Sequence, residues 1–223
     1  MNAVGSGTGS SLLTMTGQDT LRDHVEGYLA EDDVIVAARA RAAGLGCIPV
    51  STGTGSGLRF LAAAIGAKAV VEIGTGAGIS GLWLLRGMAV DGTLTSIDVD
   101  PEHQRAARAA FTAAGHGPSR LRLINGMGLE VLPRLTDGGY DLVFVDAAAA
   151  DYPRYLDEAV RLLRPGGVVA MAGVLAGGVL DQDANDTGTV ALREAARQVR
   201  EDDRLAPVLL PLSDGLLAAV KTL

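Results

Sequence analysis

The fold of this chain is decided by the stretch Val70-Val71-Glu72-Ile73-Gly74-Thr75-Gly76-Ala77-Gly78-Ile79-Ser80-Gly81. It begins with a short apolar run typical of a strand, continues with glycines at alternate positions, and ends where a helical pattern begins. Glycines at these positions let the backbone turn tightly and let a ligand approach it closely. A strand, a glycine turn and a helix in this order predict a ligand site at the carboxyl edge of a parallel sheet.

Two ligands compete for this glycine turn. The window Gly76-x-Gly78-x-x-Gly81, with Asp98 downstream, matches the fingerprint of a dinucleotide site. The window Glu72-x-Gly74-x-Gly76-x-Gly78 matches the first motif of S-adenosylmethionine (SAM) methyltransferases, and its glycines begin directly after the strand, where the turn must start. In that second window the acidic Glu72 can attract the cationic end of SAM. The stretch therefore favours SAM and leaves a dinucleotide as the alternative.

Composition limits the class of function. The 223 residues suit one open α/β domain, and the net charge of −7 argues against nucleic acid as the main partner. Lysine occurs only at Lys68 and Lys221, so a mechanism that needs a lysine base has almost no candidates. The single cysteine, Cys47, cannot form an intrachain disulfide, which fits a cytoplasmic protein.

The ends of the chain and its apolar runs indicate no membrane partner. The uncharged run at residues 165–180 is interrupted by glycines and is shorter than the roughly 20 residues of a membrane span. The N-terminus lacks the basic segment and apolar core of a signal peptide. Residues 1–18 are rich in glycine, serine and threonine, and we expect a mobile tail there, followed by a single domain at 19–223.

Two helices are predicted before the glycine motif. Leu21, Val25, Tyr28 and Leu29 recur at helical spacing, and a second pattern begins at Val34 and stops near residue 44. Both helices lie outside the expected sheet, where they can cover the ligand site or join two subunits. An extended segment is expected at 48–53, followed by a third helix that ends near residue 66.

Runs of strand type alternate with helical patterns along the rest of the chain and finish in a hairpin signal at Ser213-Asp214-Gly215. This order predicts a Rossmann-like α/β fold, with a seven-stranded, mostly parallel sheet and a terminal antiparallel hairpin. Dinucleotide-binding domains usually lack that hairpin, whereas SAM methyltransferases carry it. The predicted strands cover residues 70–73, 93–97, 121–124, 141–145, 168–171, 207–211 and 216–220.

From about residue 50 to the C-terminus, the chain resembles the catechol and caffeoyl-coenzyme A O-methyltransferase family, and most closely its small actinobacterial members. The motifs that carry the resemblance are Val50-Ser51, Ala67-Lys68-Ala69-Val70-Val71-Glu72-Ile73-Gly74, Ser96-Ile97-Asp98-Val99-Asp100-Pro101, Tyr140-Asp141-Leu142-Val143-Phe144-Val145-Asp146-Ala147 and Leu162-Leu163-Arg164-Pro165-Gly166-Gly167. The resemblance implies a class I methyltransferase that uses SAM and forms a homodimer.

The resemblance also implies roles for single residues. Asp98 would accept both ribose hydroxyls of SAM, Ser80 would bond its carboxylate at a helix start, and Gly126 to Gly128 would lie against the adenine. A strand-end turn, a helix cap and simple packing are the alternatives for these positions. The expected cofactor-binding residues are Val50, Glu72, Gly74, Thr75, Gly76, Gly78, Ser80, Asp98, Val99, Gly126 and Met127.

The chain departs from the family where the metal should bind. The family commonly holds a divalent cation with an Asp after strand four and an Asp-Asn pair after strand five, which suits a cation that grips substrate hydroxyls. Here Asp146 remains, but the other two positions align with Ala172 and Gly173, and the family's lysine aligns with Ala149. We therefore expect no metal site, with the loop residues Asp181, Asp183 and Asp186 as the alternative ligands.

These observations predict a SAM-dependent O-methyltransferase that acts on a hydroxyl of a small molecule without a divalent metal. Asp146 is the expected catalytic base and substrate contact, and Asp151 and Tyr152 are further substrate-binding candidates. Two alternatives stay open: a SAM-binding protein with little or no catalytic activity, and an NAD(P)-dependent oxidoreductase.

Overall fold

The computed structural model describes residues 20–222, so the tail predicted at 1–18 lies outside the described part of the chain. Within these residues seven strands form one sheet in the order β3-β2-β1-β4-β5-β7-β6. β1 to β5 pair in parallel, and β7 runs antiparallel between β5 and β6. The predicted fold class is confirmed. The strands are β1 Ala69–Ile73, β2 Thr93–Asp98, β3 Leu121–Asn125, β4 Tyr140–Val145, β5 Leu163–Ala172, β6 Leu205–Leu210 and β7 Leu216–Lys221.

Helices cover both faces of the sheet. Residues 20–26 form a short helix. Seven α-helices follow it among the described residues: α1 Asp33–Leu45, α2 Thr52–Ala64, α3 Ile79–Gly87, α4 Pro101–Ala113, α5 Gly128–Val131, α6 Tyr152–Leu162 and α7 Thr187–Glu201. One apolar core joins α1 to α4 to one face of the sheet, and a second joins α6 and α7 to the other. This arrangement buries both faces of the parallel strands, as such strands require.

Several helices and strands begin or end at other residues than the sequence predicts. The segment expected to be extended at 48–53 already enters α2 at Thr52, because the Ser51 hydroxyl accepts the backbone N–H of Thr54 and caps the helix. The first helical segment stops at residue 26, and Tyr28 lies beyond it, exposed. β5 begins five residues earlier than predicted, since Leu163 pairs with Tyr140 before a register shift. None of the helices among residues 20–222 has the length and apolar character needed to cross a membrane.

The strand ends that matter for a ligand meet at one edge of the sheet. Ile73 of β1 lies between Ile97 of β2 and Val145 of β4, and Val145 in turn lies beside Met171 of β5. Because the strand order reverses between β1 and β4, the crevice of the fold opens there. The loops after these strands are therefore the ones that build a site.

Candidate active site

A cavity of about 360 Å³ opens at this carboxyl edge. Its walls come from the loop between α1 and α2, the glycine loop after β1, and the segments that follow β2, β3 and β4. Eleven of the 14 predicted site residues line this cavity. The expected residues that line the cavity are Val50, Gly74, Thr75, Gly76, Ser80, Asp98, Val99, Gly126, Met127, Asp146 and Asp151.

Two glycines of the loop are required by close packing. Gly74 has φ of 95°, and a Cβ placed on it would lie 1.8 Å from the backbone oxygen of Asp146. Gly78 has φ of 89° and faces Ala107 and Phe111 of α4, so it does not line the cavity. The expected contact between Gly78 and the cofactor is therefore not present in the wall. Gly78 instead lets the start of α3 approach α4.

Glu72 is also absent from the cavity wall, because its side chain is fully buried beneath the glycine loop. Its carboxylate accepts hydrogen bonds from the hydroxyls of Ser80 and Ser96, each at 2.6 Å. Ser80 in turn lines the cavity. The burial excludes a direct contact between Glu72 and a ligand, and the predicted electrostatic attraction would have to act across Ser80.

The hydrogen bonds beneath the glycine loop continue from Glu72 to α4. The amide of Gln104 donates to the Thr75 hydroxyl at 2.9 Å, and the Thr75 and Ser96 hydroxyls lie 2.6 Å apart. Since the Ser96 hydroxyl donates to Glu72, Thr75 donates to Ser96. One directed chain of hydrogen bonds therefore leads from α4 through β2 to the end of β1 and stiffens the loop.

The pKa of Glu72 is raised to about 7, mainly by burial and to a smaller extent by the negative charges of Asp146 and Asp98. The hydroxyls of Ser80 and Ser96 oppose this increase, because they donate to the charged form. The carboxyl groups of Glu72, Asp98 and Asp146 therefore lie close enough to influence one another at this side of the cavity.

Asp98 ends β2 and lies in the wall with its carboxylate held in place. One of its oxygens accepts the N–H of Gly76 at 2.9 Å, and the other accepts the N–H of Asp100 at 2.9 Å. The ring of His103 lies 3.4 Å away. Each carboxylate oxygen can accept a further hydrogen bond, so Asp98 can still receive the two hydroxyls of a ribose.

Apolar side chains stand at the mouth of the cavity. Val99 is 65% exposed and Met127 is 55% exposed, although both are large apolar residues that line the cavity. Ile48, in the loop between α1 and α2, is 94% exposed there. Large apolar groups exposed around a concave site are typical of walls that a ligand covers.

Some wall residues were not among the predicted site residues. Cys47, Pro49, His103 and Tyr155 line the cavity. His103 could have been found from sequence, because it follows Asp98 by five residues and falls on the first turn of the next helix. Cys47 and Pro49 belong to a segment without helical or strand periodicity, so no pattern in the sequence indicates that it packs near the sheet edge. Tyr155 lies in a helical pattern that indicates core packing.

Asp146 follows β4, and its backbone N–H donates to the carbonyl of Ile73, which ties it to the end of β1. Its side-chain carboxylate accepts no hydrogen bond from any described residue. Burial raises the pKa of Asp146 to about 6. An unpaired carboxylate with this pKa is mostly ionised near pH 7 and can accept a proton.

The residues around Asp146 do not fit a divalent cation. Ala172 ends β5 beside Asp146, since Val145 pairs with Met171, and Gly173 follows it; neither residue has a side-chain oxygen. Within residues 20–222, three or more His, Cys, Asp or Glu side chains nowhere form a group suited to a metal ion. Asp186 caps α7, and Asp181 accepts the N–H of Asp183 within its own loop.

The alanine run 147–150 has a packing role. A Cβ added to Gly188, at the start of α7, would lie 3.4 Å from the Cβ of Ala149. A long side chain at position 149 would therefore meet the first turn of α7. Tyr152, a predicted substrate contact, is 3% exposed and does not line the cavity. Its hydroxyl donates to the carbonyl of Ala172 at 2.8 Å, so that prediction is wrong in this geometry.

Comparisons with known proteins extend over almost the whole chain. A family model described as O-methyltransferase matches residues 30–222. A relative from Mycolicibacterium vanbaalenii, which carries the name of an O-methyltransferase, is 53% identical over 218 residues, covering 97% of this chain and 96% of the relative. The similarity therefore includes every loop that lines the cavity.

Solved structures share the fold. A protein from Corynebacterium glutamicum superposes with a TM-score of 0.86 at 36% identity, covering 93% of this chain and 98% of the other. The O-methyltransferase TomG from Streptomyces achromogenes, which is involved in tomaymycin synthesis and was solved in complex with SAM, has a TM-score of 0.82 at 29% identity. That match covers 91% of this chain and 96% of TomG.

Proposed function

The chain belongs to the O-methyltransferase family, and we propose that it transfers the methyl group of SAM to a hydroxyl of a small molecule without a divalent metal. One observation carries the proposal. A single cavity has a wall suited to the cofactor on the side of β1 to β3, and an unpaired carboxylate, Asp146, after β4, with no side-chain oxygen opposite it on β5.

The wall chemistry fits SAM. Asp98 can accept the ribose hydroxyls, and the Ser80 hydroxyl, at the N-terminus of α3, can bond the amino-acid end. Gly76 leaves open space next to the cavity, since a Cβ there would meet only Cys47 Sγ at 3.9 Å. When bound, SAM supplies an electrophilic methyl group on a sulfonium. The protein supplies position and orientation, which account for much of the acceleration of such a displacement.

Asp146 is the proposed base for the acceptor hydroxyl. Its carboxylate takes the hydroxyl proton as the oxygen attacks the methyl carbon, and the proton leaves with solvent after the product departs. The pKa of about 6 supports this role, because the carboxylate is ionised at neutral pH yet more basic than an ordinary Asp. We expect the rate of methyl transfer to fall as the pH drops through about 6.

Metal independence is part of the proposal. A hard divalent cation takes six or more oxygen ligands, several of them from carboxylates or amide carbonyls. Asp146 offers one carboxylate, and its neighbours Ala172 and Gly173 offer only backbone. A single carboxylate would hold such an ion weakly, so the acceptor must be oriented by the cavity wall and ionised by Asp146.

The test has two stages. Thermal unfolding with SAM, S-adenosylhomocysteine (SAH) and NAD comes first, because a ligand that binds only the folded state raises the melting temperature. We expect SAM and SAH to raise it and NAD to have no effect. A methyl-transfer screen over phenols, catechols and acyl-coenzyme A substrates follows, with magnesium or with a chelator.

Asp146→Asn is the matched variant for the screen, because it keeps the shape of the side chain and removes the base. We expect it to bind SAH like the parent protein and to lose at least about tenfold in the rate of transfer. SAH binding without transfer to any hydroxyl would favour the alternative of a SAM-binding protein with little or no catalytic activity.

We also propose a homodimer. The family resemblance supports it, as do exposed apolar side chains before the glycine loop, at Leu21, Tyr28 and Val36. Unpaired apolar surface of this kind is often covered by a second copy of a chain. Light scattering at micromolar concentration tests the proposal, and a monomer mass would contradict it.

A further inference from the structure

We propose that Tyr155 and Asp151 read the edge of the purine base in the cofactor site, so that the cavity selects adenine over hypoxanthine. The inference rests on the proposed function, since it assumes that SAM binds in the cavity. It assigns both side chains to recognition of the base, although Asp151 was predicted to contact the methyl acceptor.

Tyr155 is a buried polar wall residue without a partner. Its side chain is 6% exposed and lines the cavity, and its hydroxyl makes no hydrogen bond with any described residue. The hydroxyl oxygen is open to the cavity, so it is available to bond a ligand there. Burial raises the pKa of Tyr155, and the charge of Asp151 raises it further, so the hydroxyl stays protonated and can donate.

Tyr155 stands on the side of the cavity where a base would lie. A Cβ added to Gly128 would come within 2.9 Å of a ring carbon of Tyr155 and within 3.2 Å of its hydroxyl oxygen. Gly128 directly follows Met127, whose exposed side chain offers one apolar face, and Val99 offers another. A flat base that packs on these apolar faces would bring its polar edge toward Tyr155.

Asp151 adds a carboxylate to the same part of the wall. It precedes α6, but its side chain does not cap that helix. Among residues 20–222 its only ion pair is with Arg154, at 3.4 Å, and the Arg154 side chain is 68% exposed. Such an exposed pair contributes little, so the carboxylate is available to a ligand.

The two side chains match the edge of adenine. Its exocyclic amine donates hydrogen bonds and the neighbouring ring nitrogen accepts them, which suits a carboxylate acceptor beside a hydroxyl donor. Hypoxanthine has a carbonyl oxygen in place of the amine. That oxygen would face the Asp151 carboxylate acceptor to acceptor, so the analogue would lose a hydrogen bond at this edge and bind more weakly.

Calorimetric titration of the full-length protein with four ligands tests the proposal. SAH and S-inosylhomocysteine differ only at the base edge, and 5′-methylthioadenosine and 5′-methylthioinosine repeat the comparison without the amino-acid end. We expect each inosine compound to bind at least about 10-fold more weakly than its adenosine partner. Equal affinities within either pair, with SAH still binding, would overturn the inference and leave the proposed function intact.

Two variants separate the roles of the side chains. We expect Asp151→Asn, whose amide can donate to a carbonyl, to reduce the adenine preference to less than about threefold. Tyr155→Phe should weaken SAH binding about 3- to 10-fold. Arg154→Ala is the control and should leave the preference unchanged. A preference that survives Asp151→Asn would overturn the role of Asp151, and absence of SAH binding to the parent protein would contradict the proposed function itself.

Discussion

The two halves of the cavity edge are built in opposite ways. After β1 and β2, side chains are joined by hydrogen bonds from Gln104 to Glu72, and the Asp98 carboxylate is held by two backbone N–H groups. After β4 and β5, the chain has the alanine run 147–150, then Ala172 and Gly173, and the side-chain carboxylate of Asp146 has no hydrogen-bond partner among the described residues.

The difference indicates a division of roles: the half after β1 and β2 binds the cofactor, and the half after β4 and β5 activates the acceptor. A network in which each polar group has a partner fixes its geometry before a ligand arrives, which favours tight and specific binding. An isolated carboxylate among small side chains does not fix the position of a ligand by itself, but the small side chains leave room for the acceptor. The cofactor half should therefore respond strongly to single substitutions, and the acceptor half should be insensitive to the loss of metal.

Gly74→Ala should produce the largest effect, because it introduces a Cβ where the two halves touch. The new atom would lie 1.8 Å from the backbone oxygen of Asp146, at a φ of 95° that only glycine adopts readily. We expect a loss of more than about 4 kcal/mol in the free energy of unfolding, measured by urea denaturation.

Gly76→Ala is the matched control in the same loop. Gly76 also has positive φ, at 48°, but a Cβ there would meet only Cys47 Sγ at 3.9 Å. We expect the free energy of unfolding to fall by about 1–2 kcal/mol, which is the cost of placing alanine in a left-handed backbone conformation. Similar costs for the two variants would show that the approach of Gly74 to Asp146 does not constrain the fold.

Glu72→Gln should change how stability depends on pH. Folding raises the pKa of Glu72 from 4.5 to about 7, mainly through burial, with Asp98 and Asp146 as the facing charges. The folded state therefore binds the proton more tightly than the unfolded state. Its stabilisation is complete below pH 4.5 and is lost as the pH rises through 7.

Relative to the parent protein, the Gln variant should gain about 3 kcal/mol in the free energy of unfolding between pH 4.5 and pH 7.5. Urea denaturation at several pH values across this window measures the difference. Glu130→Gln, at an exposed position, is the control and should give a constant difference. A constant difference for Glu72→Gln as well would mean that burial does not perturb this carboxyl group.

Asp98→Ala should weaken SAH binding by about 1.5–3 kcal/mol, since it removes a charged acceptor from the cofactor half. Calorimetric titration measures the affinity, with thermal unfolding as a check that the variant folds. Asp100→Asn is the control, because Asp100 carries the same charge nearby but caps α4 and does not line the cavity. An unchanged affinity in Asp98→Ala would exclude Asp98 as the ribose ligand.

Removal of divalent metal should produce the smallest effect. We expect saturating chelator to change SAH binding and methyl transfer by less than about twofold, because one carboxylate is too few ligands for a hard cation. Activity that is lost with chelator and restored by magnesium would contradict this, and would point to Asp146 with Asp181 or Asp183 as ligands.

The double variant Ala172→Asp, Gly173→Asn sharpens the same comparison by returning oxygens to the acceptor half. Gly173 has φ of 67°, a conformation that asparagine tolerates better than most residues. We expect this variant, unlike the parent protein, to bind magnesium in calorimetric titration.

The strand-to-helix order, the glycine loop and the terminal hairpin were readable from local patterns, because each depends on residues that are close in sequence. The same applies to Asp98 and Asp146, since the end of a parallel strand is always at the ligand edge. Sequence alone therefore determined the sheet, its carboxyl edge and eleven of the residues that line the cavity.

Only the tertiary structure decided which way individual side chains face. The sequence predicts a cofactor contact for both Glu72 and Ser80, but packing under the glycine loop buries Glu72 and leaves Ser80 in the wall. Tyr152 and Tyr155 lie on one helix, yet Tyr152 bonds to β5 while Tyr155 faces the cavity. These outcomes depend on contacts between segments far apart in the chain, which local spacing does not encode.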